Sequence, residues 1–148
     1  MIQYNISMKL FIGHAQKDVG LARELAERLT KAGFKVWNPE EEIAPGDNWA
    51  KKIGKALDES ELMVILLTPR AMESDWLRQD IEFALGSKKF EGRVFTVFVG
   101  PTLEAGKHMP WILLKLPHVQ VESATDFGDA VRKVRALSTN PDLSHSNA

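Results

Sequence analysis

Residues Leu62 to Leu67, LMVILL, are apolar without a break, and they constrain the fold more than any other stretch. A run of that length is strand-sized, far short of the roughly 20 apolar residues that cross a bilayer. It has no polar alternation and therefore no face to offer water. It predicts a central strand buried on both sides, ended by Thr68-Pro69. Shorter runs of the same kind stand at Lys9 to Ile12, preceded by Met8 and closed by Gly13, and at Phe34 to Trp37. Two more stand at Arg93 to Val99, followed by Gly100-Pro101, and at Val119 to Val121, an edge strand.

Between these runs the period changes. Ala22, Leu25, Ala26, Leu29 and Ala32 recur at helical spacing, with Asp18 placed to cap the helix and Gly33 at its stop. Trp49, Ile53, Ala56 and Leu57 follow Asp47 or Asn48 as cap, and Phe127, Ala130, Val131, Val134 and Leu137 make a last amphipathic helix. Trp111 to Leu114 suits one helical turn. Strands alternating with helices predict an α/β, flavodoxin-like three-layer sandwich: a five-stranded parallel sheet with helices on both faces. Ligands in such a fold gather at the carboxyl ends of the strands. Here those ends lead into the Gly13–Asp18 loop, the acidic loop NPEEEIAPGDN with its Pro45-Gly46 turn, and the helix after Leu67.

Composition removes several classes of function. The chain's 148 residues suit one domain with a full core. A formal charge of -1 without a basic stripe argues against a nucleic-acid partner. There is no cysteine, hence no disulfide, thiol nucleophile or cysteine-bound metal. His14, His108, His118 and His145 lack ligand spacing, so no metal site is expected. No membrane span or signal peptide is visible, which predicts a cytoplasmic protein. The ending STNPDLSHSNA reads as a polar tail.

The chemistry concentrates in Ser74 to Leu85, SDWLRQDIEFAL. Ser74 is a cap, and Leu77, Ile81, Ala84 and Leu85 form a core-facing stripe that Asp80 borders, while Glu82 turns to water. A carboxylate at the edge of a buried face is either a functional group or a structural acid, paired here with Arg78, Lys17 or a loop amide. Trp76 reads as core or as the wall of a pocket. Gly13 permits close backbone approach, and His14 and Lys17 share its loop. Trp37 and Trp49 read as packing residues at the ends of the acidic loop, and Glu40, Glu41 and Glu42 as a solvated face.

With these residues in place, the chain resembles a TIR (Toll/interleukin-1 receptor) domain from about Lys9 to Leu137. KLFIGHA is similar to the family's first-strand motif. GFKVWNPEEEIAPGDNWAKKI is similar to its second strand, BB loop and following helix, with the loop's Pro-Gly turn at Pro45-Gly46. VILLTPRAMESDWLRQDIEFAL is similar to its third strand and helix, where Ser74, Trp76 and Asp80 match a Ser-x-Trp, three residues, acid pattern. The implied division is an N-terminal extension at 1–8, a TIR domain at 9–137 and a flexible tail at 138–148.

The resemblance implies one of two functions. Some TIR domains are scaffolds that signal by association with other TIR domains. Others cleave the N-glycosidic bond of NAD, as glycohydrolases or ADP-ribosyl cyclases. Stand-alone bacterial members of the second group, Thoeris-like, make a nucleotide signal in anti-phage defence, and that is the function expected here. The catalytic residue of that group is a glutamate, and Asp80 stands in its place, shorter by one methylene or roughly 1.5 Å. The implied substrate contacts are Gly13, His14, Lys17, Trp37 and Trp76, and the implied self-association residues are Ile43, Pro45 and Gly46 of the BB loop. NAD is then substrate and no cofactor is expected. Expected partners are a second copy or other TIR domains and a separate effector that reads the product, with neither nucleic acid nor membrane. A deoxyribosyltransferase-like relative on the same architecture is the third reading.

Overall fold

The computed structural model describes residues 8–37, 44–100 and 112–139. Its strands are β1 Lys9–Gly13, β2 Lys35–Trp37, β3 Leu62–Leu67, β4 Val94–Val99 and β5 His118–Val121. The α-helices are α1 Val19–Lys31, α2 Trp49–Glu59, α3 Asp75–Gly86, α4 Ile112–Lys115 and α5 Phe127–Thr139. The sheet has five strands, ordered β2-β1-β3-β4-β5. Every pairing is parallel, with Phe11 opposite Met63 and Val64 opposite Phe95. This is the expected flavodoxin-like order, and the chain reverses direction across the sheet between β1 and β3.

Every residue of β3 is buried, as an uninterrupted apolar strand requires. Alternation along the strands divides the core in two. Leu10, Ile12, Val64 and Leu66 meet Leu25 and Leu29 of α1 and Phe127 and Val134 of α5. Phe11, Met63, Ile65 and Leu67 meet Ile53 and Leu57 of α2 and Leu77 and Ile81 of α3 on the other face. Each such large side chain contributes about 1.5–3 kcal/mol by leaving water. α3 is therefore held rigidly to the sheet along one side.

Two local expectations are corrected. Leu85 was expected in the core stripe of α3, but it is exposed, at 37%. Counting about 100° per residue from Leu77, Ile81 and Ala84 lie within roughly 40° of it, and Leu85 lies some 80° round. Asp80, about 60° round on the other side, takes the edge position in the core instead. Asp18 stands at the N-terminus of α1, yet its side chain makes no cap bond. Its carboxylate instead accepts a hydrogen bond from Thr68 Oγ1 at 2.8 Å, tying the loop after β1 to the end of β3.

The remaining caps form as the sequence indicates. Asn48 Oδ1 accepts from the Lys51 amide at 3.0 Å and starts α2. Ser74 Oγ accepts from the Leu77 amide at 3.2 Å and starts α3. Pro45-Gly46 is a tight turn closed by the Asp47 amide on the Ala44 carbonyl at 3.0 Å. Gly46 has φ 91°, the left-handed region that a type II turn demands at this place.

Candidate active site

β1 ends at Gly13 beside α3, and the contact there is close. A Cβ on Gly13 would meet Met63 Cε at 3.1 Å, Leu77 Cδ1 at 3.4 Å and Asp80 Oδ2 at 3.8 Å. The strand backbone thus runs close to the carboxylate, and the tightest neighbour of a side chain placed here would be the flexible end of Met63. Asp80 sits one and a half turns into α3, is 9% exposed, and opens on a cleft at the carboxyl end of β1. Ile12, His14 and Gln16 form one wall of the cleft, Trp49 and Ile53 of α2 another, and Ser74 and Trp76 of α3 the third.

Burial pushes the Asp80 carboxyl up from its ordinary 3.8 to about 7. No hydrogen bond or ion pair to Asp80 is found among the described residues. The two charged partners a structural acid would use, Arg78 and Lys17, are engaged elsewhere. Arg78 binds Asp75 and the Met72 carbonyl, and Lys17 Nζ lies 3.8 Å from Glu73. Asp80 is thus a desolvated carboxyl held against the core with no partner for its charge among the described residues, an arrangement found where charge is used in chemistry.

His14 is the second unsatisfied group. Its Nδ1 lies 2.8 Å from the Ala15 carbonyl oxygen. A carbonyl can only accept, so Nδ1 carries a proton, and in the neutral tautomer this selects, Nε2 is an acceptor. Nε2 is buried and has no partner among the described residues.

Trp76 and Trp49 face each other across the mouth, with ring centroids 6.2 Å apart and planes tilted by 40°. Both are exposed, at 47% and 40%. They are large apolar surfaces left in water by a chain that had a core to put them in. Trp49 was not among the expected contacts. Its signal was available: it precedes Ile53 by four residues on one face of α2 and follows the cap next to the acidic loop.

The structure gathers Gly13, His14, Trp76 and Asp80 and leaves two expected contacts apart. Trp37 stacks on Phe11, centroids 5.3 Å apart and 11° from parallel, and lines a separate depression with Lys51, Lys52 and Lys55. Phe11 points to the α2–α3 face and draws the Trp37 ring there. Lys17 is exposed and does not line the cleft. Pro45 and Gly46 are exposed at the surface, and Ile43 lies outside the described residues.

A family model for the TIR domain matches residues 10–134, and the chain belongs to that family. It is similar to the NAD(+) hydrolase TcpA of Theionarchaea archaeon (strain DG-70-1), at 31% identity over 121 residues, covering 80% of this chain and 36% of that protein. It is also similar to the 2' cyclic ADP-D-ribose synthase BtTIR of Bacteroides thetaiotaomicron, at 33% over 72 residues, covering 48% of this chain and 25% of that one. The chain thus spans roughly a quarter to a third of the length of these curated relatives. A metazoan TIR-STING receptor from C. gigas, solved in complex with 2',3'-cGAMP, superposes with a TM-score of 0.72. It covers 94% of this chain and 42% of the receptor at 17% identity, a likeness of fold. No helix among the described residues is long and apolar enough to cross a membrane.

Proposed function

We propose that this TIR domain cleaves the N-glycosidic bond of NAD, as a glycohydrolase or an ADP-ribosyl cyclase, with Asp80 as the catalytic carboxylate. The observation that carries the reading is the state of Asp80: buried, unpaired among the described residues, and raised to about 7 by burial. Relatives named for NAD hydrolysis and for cyclic ADP-ribose synthesis support it.

Breaking the bond between ribose C1' and the nicotinamide nitrogen releases neutral nicotinamide and leaves positive charge on the ribose. An ionised carboxylate stabilises that charge most strongly where water is excluded. Free Asp80 is about half protonated near neutral pH, but a bound cationic nicotinamide favours its ionised form. Water attacking C1' then gives ADP-ribose and a proton. A hydroxyl of the same molecule attacking instead gives a cyclised product.

The described cleft measures about 40 Å³, whereas pockets for drug-sized ligands run to roughly 300 Å³ or more. Self-association through Ile43, Pro45 and Gly46 of the BB loop would supply the missing walls. Specific activity should then rise with protein concentration. The product would serve as a nucleotide signal in bacterial anti-phage defence, read by a separate effector.

The test is incubation of concentrated protein with NAD, with products resolved by chromatography and mass. Nicotinamide release that Asp80→Ala loses is expected. A silent wild type awakened by Asp80→Glu would mean a lapsed site on a signalling scaffold. Turnover of a deoxynucleoside with NAD untouched would overturn the reading in favour of a deoxyribosyltransferase.

A further inference from the structure

We infer that His14 Nε2 is the acceptor for a ribose hydroxyl, fixing the sugar beside Asp80 and making the site selective for ribose over its deoxy forms. This rests on the NAD-cleaving reading and assigns one contact within it. Four observations converge on the ring. The Ala15 carbonyl holds a proton on Nδ1, so the lone pair of the neutral ring is on Nε2. That lone pair is buried and unanswered among the described residues. His14 and Asp80 line the same cleft, and its space of about 40 Å³ is enough to take a hydroxyl group between its walls. Finally, the ring follows directly on Gly13, the residue whose backbone passes 3.8 Å (measured from its would-be Cβ) from Asp80 Oδ2.

A buried acceptor without a partner is costly, and a ligand hydroxyl that donates to it recovers that cost on binding. A substrate lacking the hydroxyl leaves the ring unanswered, which is how polar sites reject deoxy analogues. Asp80 alone, the other acceptor lining the same cleft, cannot hold the sugar in one orientation. Two acceptors at a fixed separation can. Trp49 and Trp76, both exposed and lining the same cleft, flank the approach to these two acceptors.

The test is a cycle between protein and substrate. NAD and its analogues lacking the 2'- or the 3'-hydroxyl of the nicotinamide ribose are each cleaved by the wild type, His14→Ala and His14→Gln. For one of the two hydroxyls, its removal should lower wild-type kcat/KM by about ten- to a hundredfold. His14→Ala should lose a similar factor with NAD and then be nearly indifferent to that hydroxyl. His14→Gln, whose amide oxygen reaches the place of Nε2, should regain part of the loss. Penalties that multiply for both hydroxyls would overturn the assignment.

Nitrogen NMR of the His14 ring is independent of any variant's folding. Nε2 should read as unprotonated in the free protein and shift with NAD, and less with the analogue that lacks the paired hydroxyl. If the wild type cleaves no NAD, the same cycle is read by calorimetric binding of NAD and the two analogues. Coupling retained in binding would keep the His14 contact while overturning the enzymatic reading. Absence of both binding and coupling would overturn the contact as well.

Discussion

The backbone of Gly13 and the carboxylate of Asp80 lie so close that a single methyl on the glycine would stand 3.8 Å from Oδ2. The last residue of a strand and the second turn of a helix, far apart in the chain, thus form one surface. Gly13→Ala places that methyl against the ends of Met63 and Leu77 and beside Asp80 Oδ2, where it crowds the carboxylate that, on the proposed mechanism, faces the ribose. The methyl's nearest neighbour, at 3.1 Å, is the free end of Met63, which can give way. We expect a stability loss under about 1 kcal/mol and a loss of NAD cleavage of about tenfold or more. Melting curves beside specific activities check this, and unchanged kcat/KM would mean that the sugar does not pass over Gly13.

Burial of Asp80 fixes the sign of a pH effect on stability. The unfolded chain ionises this carboxyl near 3.8, the folded one near 7. Below the lower value both states are protonated and the group is neutral to folding. As pH rises through the interval the folded state lags, and stability is lost until about pH 7, above which the penalty is constant. Asp80→Asn removes the ionisation. It should match the wild type near pH 4 and exceed it by about 3–4 kcal/mol above pH 8. Denaturant titrations at the two pH values measure the gap, and a gap that shrinks with rising pH would reverse the assignment.

The same carboxyl sets a limb in the rate profile. On the proposed mechanism the ionised form is the active one, so kcat/KM should climb with pH through about 7. The limb in kcat should lie lower, since a cationic substrate draws the proton off. A kcat/KM profile that falls as pH rises through that range would assign Asp80 the opposite role, a proton donor.

The sequence carried the layers and the strand order because both follow from period: β3 has no polar face, and the helices repeat every three to four residues. It also carried the suspicion about Asp80, from its angle on α3. What it could not carry was whether Asp80 has a partner, since Arg78 on the same helix and Lys17 in the loop after β1 were both candidates and both turned to other acids. Trp37 and Trp49 looked alike as residues flanking one loop. Their difference comes from packing: Phe11 holds the Trp37 ring, while the first turn of α2 points Trp49 at Trp76. Asp18 was misread for a similar reason. A carboxylate at a helix start has a local partner available, and a threonine fifty residues on, Thr68, took it instead.

That Asp18–Thr68 bond, at 2.8 Å, joins the loop bearing His14 to the strand end that leads into α3. Thr68→Val should cost about 1–1.5 kcal/mol and weaken substrate binding more than turnover, because the walls of the cleft lose their alignment. Asp18→Ala should do the same, and the double variant should add little to either. Additive losses in a thermodynamic cycle would show that the two side chains act separately.

Trp37, Trp49 and Trp76 divide by role, and substitution separates them. Trp37 is half-buried on Phe11, so Trp37→Ala removes a stacked ring from the sheet's edge and should cost about 3 kcal/mol or more. NAD cleavage by the protein that remains folded should stay within a fewfold of wild type. Trp49 and Trp76 leave much of their surface in water, so Trp49→Ala and Trp76→Ala should each cost about 1 kcal/mol. Their kcat/KM should fall by about tenfold or more, as a planar ring loses one of its walls, and Trp76→Phe should restore more than Trp76→Leu. Chemical denaturation and steady-state kinetics on the same preparations check both columns. A Trp37 variant that loses catalysis while keeping its stability would move the substrate to the depression lined by Lys51, Lys52 and Lys55.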